Sequence, residues 1–195
     1  MNPMGQLLEL LYDVLFHPGA AMNAIAGRRL MGQGLLVLFI SVVLPSGAIW
    51  VSLKGAVGTA AGAVILLHVV GSVALWLIGT ALMHLIAECY GGRGMATGLL
   101  AALGFAQIPR IFFVPLWVAS ALLPEPVRLP LMGLSAIGIL MWILALHISA
   151  LKGTYGFPTA KAVLVFVTPL LAAVLLVLAV ITFVGVQLAP LPHWG

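Results

Sequence analysis

The chain has 195 residues, of which 64% are hydrophobic and 6% charged, and its mean hydropathy is +1.27. So little polar surface cannot cover a water-soluble fold of this size, so a bilayer has to act as the solvent and no separate soluble domain is expected. The net charge of +4 comes from eight Lys and Arg scattered without clusters or aromatic interleaving, which excludes a nucleic-acid partner and makes the cations markers of membrane orientation.

The first predicted element is an amphipathic entry segment at 5–26. Leu7, Leu8, Leu11, Val14 and Leu15 follow helical spacing, Gln6, Glu9 and Asp13 share the other face, and His17-Pro18-Gly19 breaks the helix. The pattern predicts a helix lying along the membrane or against a bundle, and leaves open a docking helix for a cytosolic partner. Its acidic face does not favour anionic lipid, so anchoring falls to the apolar face and to Arg28 and Arg29. No cleavable signal is expected, because the start lacks a basic region and the first apolar run carries Glu9 and Asp13.

Five apolar stretches follow, at 35–52, 61–87, 98–123, 129–151 and 162–188. Each is long enough to cross a hydrocarbon core of about 30 Å as a helix. They are continuous rather than alternating, so helices are predicted and not a barrel. The fold class is therefore all-α: a polytopic membrane protein with five transmembrane helices after a short amphipathic interfacial helix, in one domain over 1–195. Arg28, Arg29, Arg93, Lys152 and Lys161 fall on one side of these spans, and only Lys54 and Arg128 on the other. That bias predicts a cytoplasmic N-terminus and an outside C-terminus.

Cys89 is the only cysteine, which excludes an intramolecular disulfide; on the reducing cytoplasmic side it reads as an inert residue at a helix end. Small residues recur at every fourth position: Gly58 and Gly62 open the second span, Gly94, Gly98, Ala102 and Ala106 line the third, and Ala145, Ser149 and Gly153 line the fourth. This spacing lets membrane helices approach closely, as packing within the bundle ahead of a homodimer interface, and predicts a central third span.

At Glu88-Cys89-Tyr90-Gly91-Gly92-Arg93-Gly94 and Leu103-Gly104-Phe105-Ala106-Gln107-Ile108-Pro109 the chain resembles the bacterial branch of the Yip1 family of integral membrane proteins. Trp142, the run from Leu146 to Ala162 with Lys152-Gly153-Thr154-Tyr155-Gly156-Phe157, and the front Val14-Leu15-Phe16-His17-Pro18 with Ala20, Ala21 and Ile25 fit the same resemblance. It implies five spans with a cytoplasmic N-terminus in the bacterial cytoplasmic membrane. Eukaryotic members bind small GTPases and partner membrane proteins through a longer cytosolic N-terminal region and carry an Asp-Leu-Tyr-Gly-Pro element. This chain lacks that element, so binding of a small GTPase is not expected.

Ionisable groups within the bilayer are costly and mark candidate sites. Arg110 lies roughly 20 Å along the third span from Met95, inside the hydrocarbon, and His68 on the second span falls at similar depth. Pro109 and Pro115 flank the arginine and would free the carbonyls of Phe105 and Ile111. A structural role for Arg110 is to bind one of those carbonyls and staple a kinked helix. A functional role is to contact an anionic headgroup or substrate in an outward cavity, with Gln107 and His68 beside it. Towards the cytoplasmic face, His84 and Glu88 share one helix face and His147 lies at comparable depth on the fourth span. Two imidazoles and a carboxylate suit a divalent transition metal or a proton relay, although polar packing is the preferred reading, a pair of Glu88 with Arg93 is one form open to it, and no metal or cofactor is expected.

Gly-x-Ser-x-Gly, a phosphate-binding loop and His-Glu-x-x-His are absent, Ser72, Ser120 and Ser149 have no evident base, and four acidic residues leave little for acid and base work. An enzyme is therefore not expected. The preferred functional reading is a scaffold or adaptor of the Yip1 type, contacting membrane lipids, other membrane proteins or a second copy through its small-residue faces. The alternative is a small transporter or lipid-handling protein with an anion-binding cavity at Arg110.

Overall fold

The computed structural model describes residues 3–57 and 61–188, with side chains for 5–48 and 62–184. Gly58 and the side chain of Lys54 lie outside the described residues. The described elements are helices α1 (Pro3–Phe16), α2 (Pro18–Arg28), α3 (Met31–Val57), α4 (Ala61–Cys89) and α5 (Ala96–Phe105), a 3₁₀ turn (Ile108–Phe112), and then α6 (Phe113–Ala121), α7 (Glu125–Tyr155) and α8 (Thr159–Leu188). Five segments are long and apolar enough to cross a membrane: α3, α4, the α5–α6 pair, α7 and α8. The fold is all-α and polytopic, as the sequence predicts. The helices outrun the apolar stretches at several ends because caps, and not hydropathy, stop them: Gly91 and Gly156 adopt positive φ and terminate α4 and α7.

Helix α5 is the centre of the bundle, packed by α2, α3, α4 and α7. Leu99, Ala101, Ala102 and Phe105 are wholly buried. Glycine makes this possible: a Cβ on Gly98 would stand 2.7 Å from the Ala26 carbonyl oxygen, one on Gly34 2.7 Å from that of Ala101, and Gly104 presses against the backbone of Gly34. Gly153 meets Asn23 and Met22, and Gly94 meets Thr154 and Tyr155. The small residues of the third span, and Gly153 of the fourth, thus serve contacts within the chain, whereas Ala145 is exposed.

The entry segment departs from the expected single amphipathic helix. It is a hairpin of two helices, because Pro18 starts α2 at a position where no backbone donor is needed. Helix α2 then inserts between α5 and α7, burying Ala21, Met22 and Ile25. Met22 and Ile25 are its only large apolar residues and both are wholly buried, so two residues in a short run of Ala and Gly carry the contact and leave little periodic signal. In α1, Leu10 and Val14 are buried, while Leu8, expected on the apolar contact face, joins Tyr12 and Phe16 in an exposed ridge. At the other extreme, Leu170, Val174, Leu178, Ile181 and Phe183 of α8 are all exposed, as suits a helix surrounded by lipid.

The third span is broken. Helix α5 ends at Phe105, Pro109 stands in the first turn of the 3₁₀ segment, and Pro115 stands in the first turn of α6. Each proline occupies a helix start, where its missing N–H costs nothing. The chain stays hydrogen-bonded through the break, with Gln107 N–H donating to Gly104 O at 3.2 Å and Arg110 N–H to Gln107 O at 3.0 Å. This break sets Arg110 between the walls of two cavities.

Candidate intramembrane anion site

The inner cavity, of about 210 Å³, is walled by Leu38 of α3, Leu103 and Gln107 of the third span, His147 of α7, Arg110, and a face of α4. That face carries Ser72, Trp76 and Thr80 at successive fourth positions, with Gly79 opening onto the same space. Trp76 Nε1 donates to Leu100 O at 3.1 Å and Thr80 Oγ1 to Trp76 O at 2.6 Å, so both side chains are oriented by backbone. The outer cavity, of about 250 Å³, is walled by Ser41, Val42, Pro45, His68, Phe113, Ile139 and again Arg110. Arg110 and Gln107 therefore share one chamber and Arg110 and His68 the other, with the guanidinium as the common wall.

The hydrogen bonding of the inner chamber is directional. His147 Nδ1 lies 2.8 Å from Ile143 O, and a carbonyl can only accept, so Nδ1 carries the proton. In the neutral ring Nε2 then accepts, from Gln107 Nε2 at 3.4 Å. Gln107 Nε2 also reaches Leu103 O at 3.5 Å, so both contacts hold the amide nitrogen on one side. The amide oxygen, Gln107 Oε1, is left buried with no partner, although the residue is only 7% exposed. Ser41 Oγ, in the outer chamber, is likewise buried and without a partner.

The arginine itself is equally unsatisfied. Among the described residues the Arg110 guanidinium makes no hydrogen bond and no ion pair. Neither cavity is lined by a carboxylate. The carbonyl staple expected for Arg110 belongs instead to Arg128 at the start of α7. Its Nε donates to Ser120 O at 3.2 Å and its Nη2 to Ala121 O at 3.4 Å and Leu123 O at 3.3 Å, closing the C-terminus of α6.

The second candidate cluster is divided. His84 Nε2 stands 3.4 Å from Glu88 Oε1, and His84 Nδ1 2.6 Å from the Tyr155 hydroxyl. His147 is not with them; it faces Gln107 and the inner cavity, its ring edge-on to Phe166. No group of three His, Cys, Asp or Glu among the described residues is arranged to hold a metal. Glu88 thus pairs with His84 and not with Arg93, the alternative the sequence left open. Sequence reasoning missed Tyr155 as the partner of His84, although it lies in the Lys152–Phe157 run. It also missed the Ser72-Trp76-Thr80 face, whose four-residue spacing was a legible signal.

Gly92 packs on Tyr155 and Phe157, so the two glycine-containing motifs at 88–94 and 152–157 meet at one end of the bundle. A model of the Yip1 domain matches residues 12–181 of the chain. No curated protein and no solved structure matches it.

Proposed function

The chain belongs to the Yip1 family, and from that premise we propose that it is a non-catalytic membrane protein that binds an anionic ligand around Arg110, as a small transporter or lipid-handling protein. The observation that carries this reading is the unpaired guanidinium between two cavities, beside the partnerless Gln107 Oε1. A charge kept inside the bilayer without a counter-charge is costly, and an anion arriving from outside the chain offsets that cost. The reading reverses the preference for a scaffold that the family resemblance and the scarcity of intramembrane charge favoured. Anionic lipid added to the purified protein should raise its melting temperature, because a ligand that binds only the folded state stabilises it. Arg110→Gln should remove that increment. An equal increment in parent and variant would count against the site.

A scaffold or adaptor role is the second reading, supported by the exposed ridge of Leu8, Tyr12 and Phe16 on α1. Loss of a co-purifying membrane protein on Tyr12→Gln, with anion binding intact, would favour it. We further propose that the end bearing Arg28, Arg29, Arg93, Lys152 and Lys161 faces the cytoplasm of a bacterial cell. Cys89 is exposed at that end, and Leu122, 85% exposed, is at the opposite one. An impermeant thiol reagent should therefore label Leu122→Cys in a Cys89→Ala background on intact cells and spare native Cys89. The reverse pattern overturns the orientation.

A further inference from the structure

Two features of the inner cavity narrow the ligand, on the premise that Arg110 binds an anion. The first is where the cavity reaches the surface. Of its lining residues Leu75 is the most open, at 72% exposure, whereas Leu38, Thr80, Leu103 and Gln107 are buried. Leu75 is the midpoint of α4, which spans Ala61–Cys89. Fourteen residues on either side place both helix ends about 21 Å away at 1.5 Å per residue. A mouth at that height opens into hydrocarbon about 30 Å thick and not into water. A water-soluble ion has no aqueous route to such a mouth and would have to meet Arg110 from the outer cavity, while a molecule already dissolved in the bilayer reaches the inner one by lateral diffusion.

The second feature is the sign of the groups presented. Arg110 offers only donors, whereas Gln107 Oε1, its amide orientation set by the Ile143–His147 relay, offers only an acceptor. A ligand that satisfies both must carry an anionic oxygen for the guanidinium and, close to it, a hydroxyl or N–H donor for the amide. The Thr80 hydroxyl cannot serve Gln107, since it already donates to Trp76 O.

We infer that the ligand is a phospholipid whose headgroup carries a hydrogen-bond donor beside its phosphate, and that it enters sideways past Leu75. The phosphate binds Arg110, the headgroup donor binds Gln107, and the acyl chains stay in the bilayer along the exposed Leu75, Ile78 and Leu82 of α4.

The test uses the full chain in neutral-lipid nanodiscs and measures retained lipid by native mass spectrometry. Three probes divide the question: phosphatidylglycerol; phosphatidylmethanol, of equal charge but with no headgroup hydroxyl; and glycerophosphoglycerol, the same headgroup without acyl chains. Phosphatidylglycerol should be retained about tenfold or more over phosphatidylmethanol, the factor expected when a buried hydrogen bond near a charge is lost. Glycerophosphoglycerol should fail to displace it. Leu75→Trp changes a lipid-facing residue and leaves the core intact, and it should lower phosphatidylglycerol retention by narrowing the mouth. Equal retention of the two lipids overturns the donor requirement. Displacement by glycerophosphoglycerol, or full retention in Leu75→Trp, overturns entry from the bilayer while leaving an anion site at Arg110. Retention unchanged in Arg110→Gln overturns that site, and the lipid inference with it.

Discussion

Two breaks interrupt the middle of this chain, and an arginine stands beside each. At the turn between α6 and α7, Arg128 folds back onto the carbonyls of Ser120, Ala121 and Leu123 and closes a helix end. At the break after α5, Arg110 binds no carbonyl among the described residues and instead walls two cavities. The difference shows that a proline-broken helix does not by itself recruit a guanidinium. What recruits one is a helix C-terminus with free carbonyls within reach of a side chain starting the next helix. After α5 the 3₁₀ turn keeps the backbone bonded, so the arginine is available for something else.

The comparison can be broken most forcefully at Gly104, which presses against the backbone of Gly34 one residue before α5 ends. Gly104→Leu should lower stability in detergent by about 3 kcal/mol or more, since a side chain there must push two backbones apart. A parent-like melt would mean that the two backbones are not held at this distance. Arg128→Gln comes next, with an expected loss of about 2 kcal/mol for charge-assisted bonds to carbonyls that are then left open. Tyr155→Phe, which removes the 2.6 Å bond to His84, should cost about 1 kcal/mol. Arg110→Gln should lose no stability in neutral lipid, because no bond within the described chain is lost and an uncompensated charge is removed. Finding Arg110→Gln as damaging as Arg128→Gln would erase the contrast.

The spans were legible because apolar runs of bilayer length have few alternatives, and the central third span because glycine and alanine recur on one face. The most apolar stretch of that span has a mean hydropathy of 1.7 and is 56% buried, whereas that of the fifth has 3.0 and is 6% buried. In lipid the more apolar helix faces outward, and the small-residue helix occupies the centre. Helix α2 was not legible, since Met22 and Ile25 are its only large apolar residues and the rest of so short a helix is small or polar and carries little hydropathic signal. Residue counting gives depth along a helix but not which helices are neighbours. That is why His147 was grouped with His84 and Glu88 by height, although it packs against Gln107 of the third span. The same limit assigned the carbonyl staple to Arg110, which stands next to prolines, and not to Arg128, whose partners come from the preceding helix.

The central claim is that Arg110 is kept for a ligand and not for the backbone. A structure of the full chain solved in a nanodisc containing phosphatidylglycerol tests it most directly. The account predicts headgroup density within about 3 Å of the Arg110 guanidinium, adjoining Gln107 Oε1 and continuous with acyl chains beside Leu75. A guanidinium bonded to the carbonyl of Phe105 or Ile111, with no lipid density beside it, would contradict the account.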